Sequence, residues 1–261
     1  MVVAEDQAMS SRFESKVIVV TGGNSGMGKA VAERVALEGA AVVIAARRKD
    51  VGEEVAAGIR AAGGRAVFVG ADVTVEDDAA RVVEVAVAEF GRLDGAFNNV
   101  GGVNAFGSVQ TVAADSWRAD IEHNLSSVFY GLKYQIPAIV AAGGGAIVNN
   151  ASNLGVVGMA GVSPYVAAKH GVVGLTRAVA LETAEQGVRV NALVTGGVDT
   201  PLFRATMGAT PEGAAAIAAM HPVGRIALPE EIAAFTAFLL SDEAAFITGA
   251  ALAVDGGFTA R

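Results

Sequence analysis

Short, almost wholly apolar runs recur along this chain and alternate with longer stretches in which apolar residues return every three or four positions. The first run, Lys16–Val20, ends at Thr21 and a glycine-rich turn. A helical stretch follows over Lys29–Glu38, with Val31, Val35 and Ala36 on one face. The second run is Ala41–Ala45, before a helix over Asp50–Ala62; the third is Ala66–Val69, which leads to Asp72 and a helix over Glu76–Phe90. Leu93–Phe97 and Ala146–Val148 read as strands on either side of a long helical segment from Ser116 to about Ala142. A helix runs from Tyr165 to Glu185, then come a strand at Val188–Val194, a helix at Pro229–Leu240 and a last strand at Ala250–Val254. Continuously apolar strands alternating with helices are buried on both faces, which predicts an α/β fold: a single doubly wound, Rossmann-type domain with a seven-stranded parallel sheet and helices on both faces. One stretch breaks the pattern. Residues 196–228 are long, rich in Ala, Gly, Thr and Pro, and follow a strand, which predicts a lid or binding loop.

The totals narrow the class without changing it. At 261 residues, 52% hydrophobic and 18% charged, the chain has the composition of one globular domain. Its formal net charge of −8 argues against a nucleic-acid partner. Cysteine is absent, which excludes disulfides, thiolate metal sites and a cysteine nucleophile and agrees with a cytoplasmic location. The first fifteen residues are acidic and polar, unlike a signal peptide, and no apolar run is long enough to span a bilayer. Residues 1–14 are expected to form a flexible N-terminal tail, and residues 15–261 the dinucleotide-binding and catalytic domain.

The turn Thr21-Gly22-Gly23-Asn24-Ser25-Gly26-Met27-Gly28 lies between the first strand and the first helix. Glycines there let a pyrophosphate reach the N–H groups of the helix start. Gly23, Gly28 and Lys29 also fit the spacing of a P-loop, but Ala30 stands where a hydroxyl would hold Mg²⁺. A nucleophile elbow fails at Met27, where glycine is needed. In a dinucleotide fold the second strand should end near a carboxylate that binds the ribose 2′-hydroxyl. Here it ends Ala45-Ala46-Arg47-Arg48, and two guanidiniums suit a 2′-phosphate, so NADP(H) is favoured over NAD(H).

Tyr165 and Lys169 are four apart and share a helix face; Ser152 follows the strand Ala146–Val148, and Asn124 lies in the long helix before it. With the turn Thr21–Gly28, Asp72-Val73, Asn98-Asn99-Val100-Gly101, Tyr165-Val166-Ala167-Ala168-Lys169 and Asp199-Thr200-Pro201, the chain resembles the classical short-chain dehydrogenase/reductase family from about Lys16 to its end. Val100 stands where that family usually has alanine, and Thr195 where it commonly has proline, which predicts a less rigid loop after the sixth strand.

The resemblance implies an NAD(P)-dependent oxidoreductase that interconverts a secondary alcohol and a ketone by hydride transfer. Tyr165 is then the general acid/base, Ser152 holds the substrate oxygen, Lys169 binds the nicotinamide ribose and Asn124 positions a proton-relaying water. The Lys169 ammonium is expected to draw the phenol down from its ordinary value near 10. Gly22, Asn24, Ser25, Gly26, Met27 and Gly28 would line the pyrophosphate and ribose, Arg47 and Arg48 the 2′-phosphate, Asp72 and Val73 the adenine, Asn99 and Gly101 the adenosine side, and Val198 and Thr200 the nicotinamide amide.

The rival functions are a silent NAD(P)-binding sensor and, further off, a P-loop nucleotide hydrolase; the presence of all four catalytic candidates favours the enzyme. His123, His170 and His221 show no metal spacing and read as structural or surface residues, so no metal is expected. Trp117 reads as a packing residue at a helix start, and Asp255-Gly256-Gly257 as a turn. Small and apolar residues around most of the Tyr165 helix predict a homo-oligomer, with a tetramer favoured. The apolar lid, with Leu202, Phe203, Met207, Ile217 and Met220, predicts a small neutral carbonyl or alcohol substrate.

Overall fold

The computed structural model describes residues 11–260. Seven strands form one all-parallel sheet in the order β3-β2-β1-β4-β5-β6-β7. They are β1 (Val17–Thr21), β2 (Ala41–Ala46), β3 (Arg65–Gly70), β4 (Gly95–Asn98), β5 (Gly145–Asn150), β6 (Val188–Thr195) and β7 (Ala251–Val254). Every residue of β1 and β2 is buried, as a strand covered on both faces must be.

One face carries α1 (Gly26–Leu37), α2 (Lys49–Ala61) and α9 (Pro229–Leu240), which pack Val31, Val35, Ile59, Ile232 and Leu239 into one core. The other carries α3 (Glu76–Phe90), α5 (Ser127–Ala141) and α6 (Ser163–Thr183), which pack Val82, Leu132, Ile139, Val172 and Val179 into a second. The strand order reverses between β1 and β4, and a crevice at the carboxyl ends of these strands is where doubly wound sheets take ligands.

Three regions depart from the pattern-based reading. The long helix before β5 is interrupted: α4 (Ala114–Ile121) passes through one wide π turn, Glu122–Ser126, before α5. Such turns often mark functional sites, and this one contains Asn124.

The 196–228 stretch is not one loop. It holds α7 (Pro201–Ala205) and α8 (Pro211–Ala219), each with a threonine N-cap followed by proline. Thr200 Oγ1 accepts from Phe203 N–H and Thr210 Oγ1 from Gly213 N–H, both at 3.1 Å. A bridge between Val198 and Ala227 closes the excursion at its base.

The expected tail also runs too far into the chain. Residues 1–10 lie outside the described residues, but residues 11–14 are docked. Phe13 is 1% exposed, its N–H donates to Glu38 O at 3.0 Å, and Arg12 pairs with the Glu38 carboxylate at 2.6 Å. A buried phenyl and a guanidinium held by a nearly buried carboxylate tie this segment to the end of α1.

Candidate active site

The glycine turn is shaped by close approach. Gly22 and Gly26 have φ of +65° and +50°, and a Cβ at Gly28 would overlap the Gly22 carbonyl. A Cβ at Gly26 would fall 2.8 Å from Thr200 Cγ2, so the turn and the start of α7 meet. The first turn of α1 carries no acidic residue and no side-chain cap, so its N–H groups point at a place suited to an anion. Asn24 is buried in the turn, while Ser25 and Met27 are half-buried.

At the end of β2, Arg47 and Arg48 are exposed, and Arg47 stands 4.0 Å from an Asp72 carboxylate oxygen. Val73 is buried beside Asp72. An adenine and its ribose fit these groups, and a pyrophosphate fits the turn. The donor set therefore suits a nicotinamide dinucleotide.

Between the two lies a polar rail across the strand ends. Thr21 Oγ1 accepts from Asn99 N–H at 2.9 Å, Asn99 Nδ2 donates to Thr21 O at 3.2 Å, and Asn150 Nδ2 donates to Asn99 Oδ1 at 3.4 Å. Thr195 Oγ1 donates to Asn150 Oδ1 at 3.3 Å. Thr195, the last residue of β6, thus ties that strand to β5.

The four catalytic candidates converge at the ends of β4 and β5. Lys169 is 1% exposed; its Nζ donates to Asn150 O at 2.8 Å and lies 5.6 Å from the centre of the Tyr165 ring. Burial draws this ammonium down to about 8. Ser152 sits directly after β5 at φ +59°, an uncommon conformation for a non-glycine residue, and its Oγ caps the turn Asn153–Gly155. Gly101 admits the neighbours: a Cβ there would fall 2.7 Å from Asn124 Oδ1 and 2.9 Å from Lys169 Nζ.

The phenol does not titrate in the expected direction. Burial pushes Tyr165 up, a hydrogen bond with Ser152 pulls it partly back, and the charge of Asp120 pushes it further up. Burial also draws Lys169 down to about 8, so its ammonium has lost its charge before the phenol titrates.

Asn124 is engaged at both ends. Its Oδ1 accepts from Gly102 N–H at 2.9 Å and its Nδ2 donates to Gly102 O at 2.9 Å and Asp120 O at 3.0 Å. Val198 is buried at the base of the lid, and Thr200 caps α7 beside Gly26.

Sequence reasoning passed over several residues here. Asp120 and Asn150 are buried polar residues in strand-end or helix positions, and Asp120 carried one readable signal, its place one turn before Asn124. His123, read as structural or surface, is half-buried; burial, then the charges of Arg47 and Lys169, push its imidazole down. His221 is buried, with Nε2 accepting from Gly197 N–H at 2.9 Å, while His170 is exposed. Trp117 is 43% exposed rather than packed. Among the described residues no group of three or more His, Asp or Glu is placed to hold a metal ion, and no helix is long and apolar enough to cross a membrane.

A parallel sheet with a glycine turn at its switch point and a Ser, Tyr, Lys and Asn beside it defines a dinucleotide-dependent oxidoreductase. Comparison with known proteins agrees. Residues 22–259 match a family model described as enoyl-(acyl carrier protein) reductase. The chain belongs to the short-chain dehydrogenase/reductase family.

Among its relatives are the cyclohexanol dehydrogenase of Acinetobacter sp. (strain SE19), 43% identical over 98% of this chain and 100% of the relative. Another is the cis-4-hydroxycyclohexanecarboxylate dehydrogenase of Sinomonas cyclohexanicum, 46% identical over 97% of this chain and 100% of the relative. The crystal structure of levodione reductase superposes with a TM-score of 0.91 at 35% identity, covering 95% of this chain and 99% of that one. The protein is an NAD(P)-dependent short-chain alcohol dehydrogenase or carbonyl reductase.

Proposed function

We propose that this enzyme interconverts a small neutral alicyclic alcohol and its ketone, prefers NADP(H) with NAD(H) as the alternative, and uses Tyr165 to move the proton. The observation that carries this reading is the meeting of Tyr165, Ser152, Lys169 and Asn124 beside the glycine turn. Its support for a ring substrate is twofold. Relatives are named for cyclohexanol and hydroxycyclohexane compounds, and exposed Phe106, Val156, Leu202 and Met207 offer an apolar surface on the segments next to the site.

A nicotinamide, when bound, supplies the carbon that takes or gives the hydride. Gly22, Asn24, Ser25, Gly26, Met27 and Gly28 would hold the pyrophosphate, and Arg47 and Arg48 the 2′-phosphate. Asp72 and Val73 would face the adenine, Asn99 and Gly101 the adenosine side, and Val198 and Thr200 the amide. In oxidation the substrate hydroxyl accepts a hydrogen bond from Ser152 and gives its proton to the Tyr165 oxygen. In reduction Tyr165 donates that proton back to the carbonyl oxygen. Burial pushes Tyr165 up, so oxidation, which needs the phenolate, should speed up as the pH rises. The Asn124 side chain is spent on Gly102, so a relaying water would lean on Lys169 Nζ and the backbone of the wide turn.

The segment from Gly196 to Leu228 is proposed to close over the substrate, hinged at the Val198–Ala227 bridge. The proposed assembly is a homotetramer, and the proposed place is the cytoplasm, where nicotinamide dinucleotide pools are held. The test is turnover of cyclohexanol and cyclohexanone with NADP(H) and NAD(H), alongside Tyr165→Phe. The variant should lose activity by about a thousandfold or more while binding cofactor as before, because only the proton is removed. A variant that keeps the parent rate overturns the mechanism.

A further inference from the structure

Asp120 is a fully buried carboxylate with no cation paired to it among the described residues. Burying a lone charge is costly unless hydrogen bonds replace its water, and here they do. Oδ1 accepts from Asn104 N–H at 3.1 Å and Asn104 Nδ2 at 2.8 Å, and Oδ2 accepts from Ala105 N–H at 3.2 Å. Asn124 Nδ2 adds a longer contact to Oδ1 at 3.4 Å. Every partner is a donor, as an ionised carboxylate requires.

Asp120 and Asn124 are one turn apart on α4 and the wide turn. Together they grip successive peptide groups of the segment after β4, Asn124 at Gly102 and Asp120 at Asn104 and Ala105. The next residue, Phe106, is 65% exposed.

We propose that Asp120 is a positioning residue of this active site: it clamps the Asn104–Ala105 segment after β4 against the helix turn that carries Asn124. The inference rests on the assignment of Tyr165 as the proton carrier for its kinetic consequence, though not for its geometry.

The groups that bear on the phenol are Lys169, one turn along its own helix, Ser152 after β5, which shares a hydrogen bond with it, and Asp120 on α4. The charges of Arg47, Lys169, Asp72 and Asp120 act on His123 in the wide turn, and Arg204 is paired with Asp199. Asp120 is the anion whose charge acts on Tyr165, and it favours the protonated phenol. That bias opposes the phenolate that alcohol oxidation needs, so Asp120 works against the base form of Tyr165.

The clamp and the charge separate by mutation. Asp120→Asn keeps the shape and removes the charge. Asn104→Ala weakens the clamp and leaves the charge. The probe is cyclohexanol oxidation as a function of pH, together with the ultraviolet phenolate absorbance of each protein. The three tyrosines are resolved by subtracting the spectrum of Tyr165→Phe.

Asp120→Asn should move the Tyr165 phenolate midpoint, and with it the acidic limb of oxidation, to lower pH. Asn104→Ala should raise the cyclohexanol KM by about tenfold and leave the midpoint where it was. Should Asp120→Asn leave the midpoint in place, or Asn104→Ala leave KM in place, the corresponding half of the inference is overturned. The absorbance readout needs no turnover. If Tyr165→Phe proves active the proposed mechanism fails on its own, while the titration still judges Asp120.

Discussion

Lys169 shows how one residue can serve chemistry against stability. It is buried without a carboxylate partner and is drawn from 10.5 to about 8. Between those values the unfolded chain binds more protons than the folded one, so stability rises with pH across that window. The burden of the buried ammonium is therefore complete below about pH 8 and fades as the pH climbs toward 10.5. Lys169→Met should raise Tm near neutral pH, corresponding to about 1–2 kcal/mol, while removing turnover. Melting curves across that window check it: the gain should shrink as pH rises, and a pH-independent gain would contradict the account. Arg47 is the second case. Its Asp72 partner is 4.0 Å away and both are well exposed, so the pair holds it weakly and leaves it available to an anion. Arg47→Ala should weaken NADPH binding about tenfold or more and NADH binding little, measured by calorimetric titration. Equal losses would remove the basis for preferring the phosphorylated cofactor.

At the scale of elements, periodicity was a sound guide wherever a segment's neighbours were uniform. Glu76–Phe90 and Pro229–Leu240 have the boundaries that their patterns predict, because each buries one continuous stripe. The wide turn at Glu122–Ser126 was not legible, since a π turn inserts one residue per turn without changing composition. The helices α7 and α8 were legible and were passed over: Thr200-Pro201 and Thr210-Pro211 are each an N-cap followed by a first-turn proline. Phe13 was hidden for a different reason. One aromatic among polar residues has no period, and only the approach of Glu38 and of the amino ends of the central strands gives it a core. Phe13→Ala should cost about 3–5 kcal/mol and lower the chemical denaturation midpoint. A variant as stable as the parent would mean that the segment is an ornament to the fold.

For the whole molecule, the outer faces of α5 and α6 form an open groove of about 560 Å³ lined by Leu125, Phe129, Tyr130, Gly171, Leu175 and Ala178. Phe129 is 48% exposed there, and glycines on α6 let a second helix pair approach closely. This surface supports the proposed homo-oligomer. Phe129→Glu should lower the solution mass in light scattering by at least half, because a buried carboxylate at the centre of an apolar contact has no partner. An unchanged mass would place the interface elsewhere.

The linear order of residues was enough to specify the alternation of buried strands and amphipathic helices, the parallel sheet, and the glycine turn after the first strand. All three follow from local periodicity and from where glycine is tolerated. Spacing also brought Tyr165 and Lys169 onto one helix face. It could not tell how those side chains titrate, because that depends on how much water the surrounding elements exclude. Nor could it find Asp120 beside Asn104 or Thr195 against Asn150, contacts between residues far apart in the chain or on different strands. Packing decided these, since hydrogen bonding and electrostatic energy depend on distance and dielectric rather than on sequence separation.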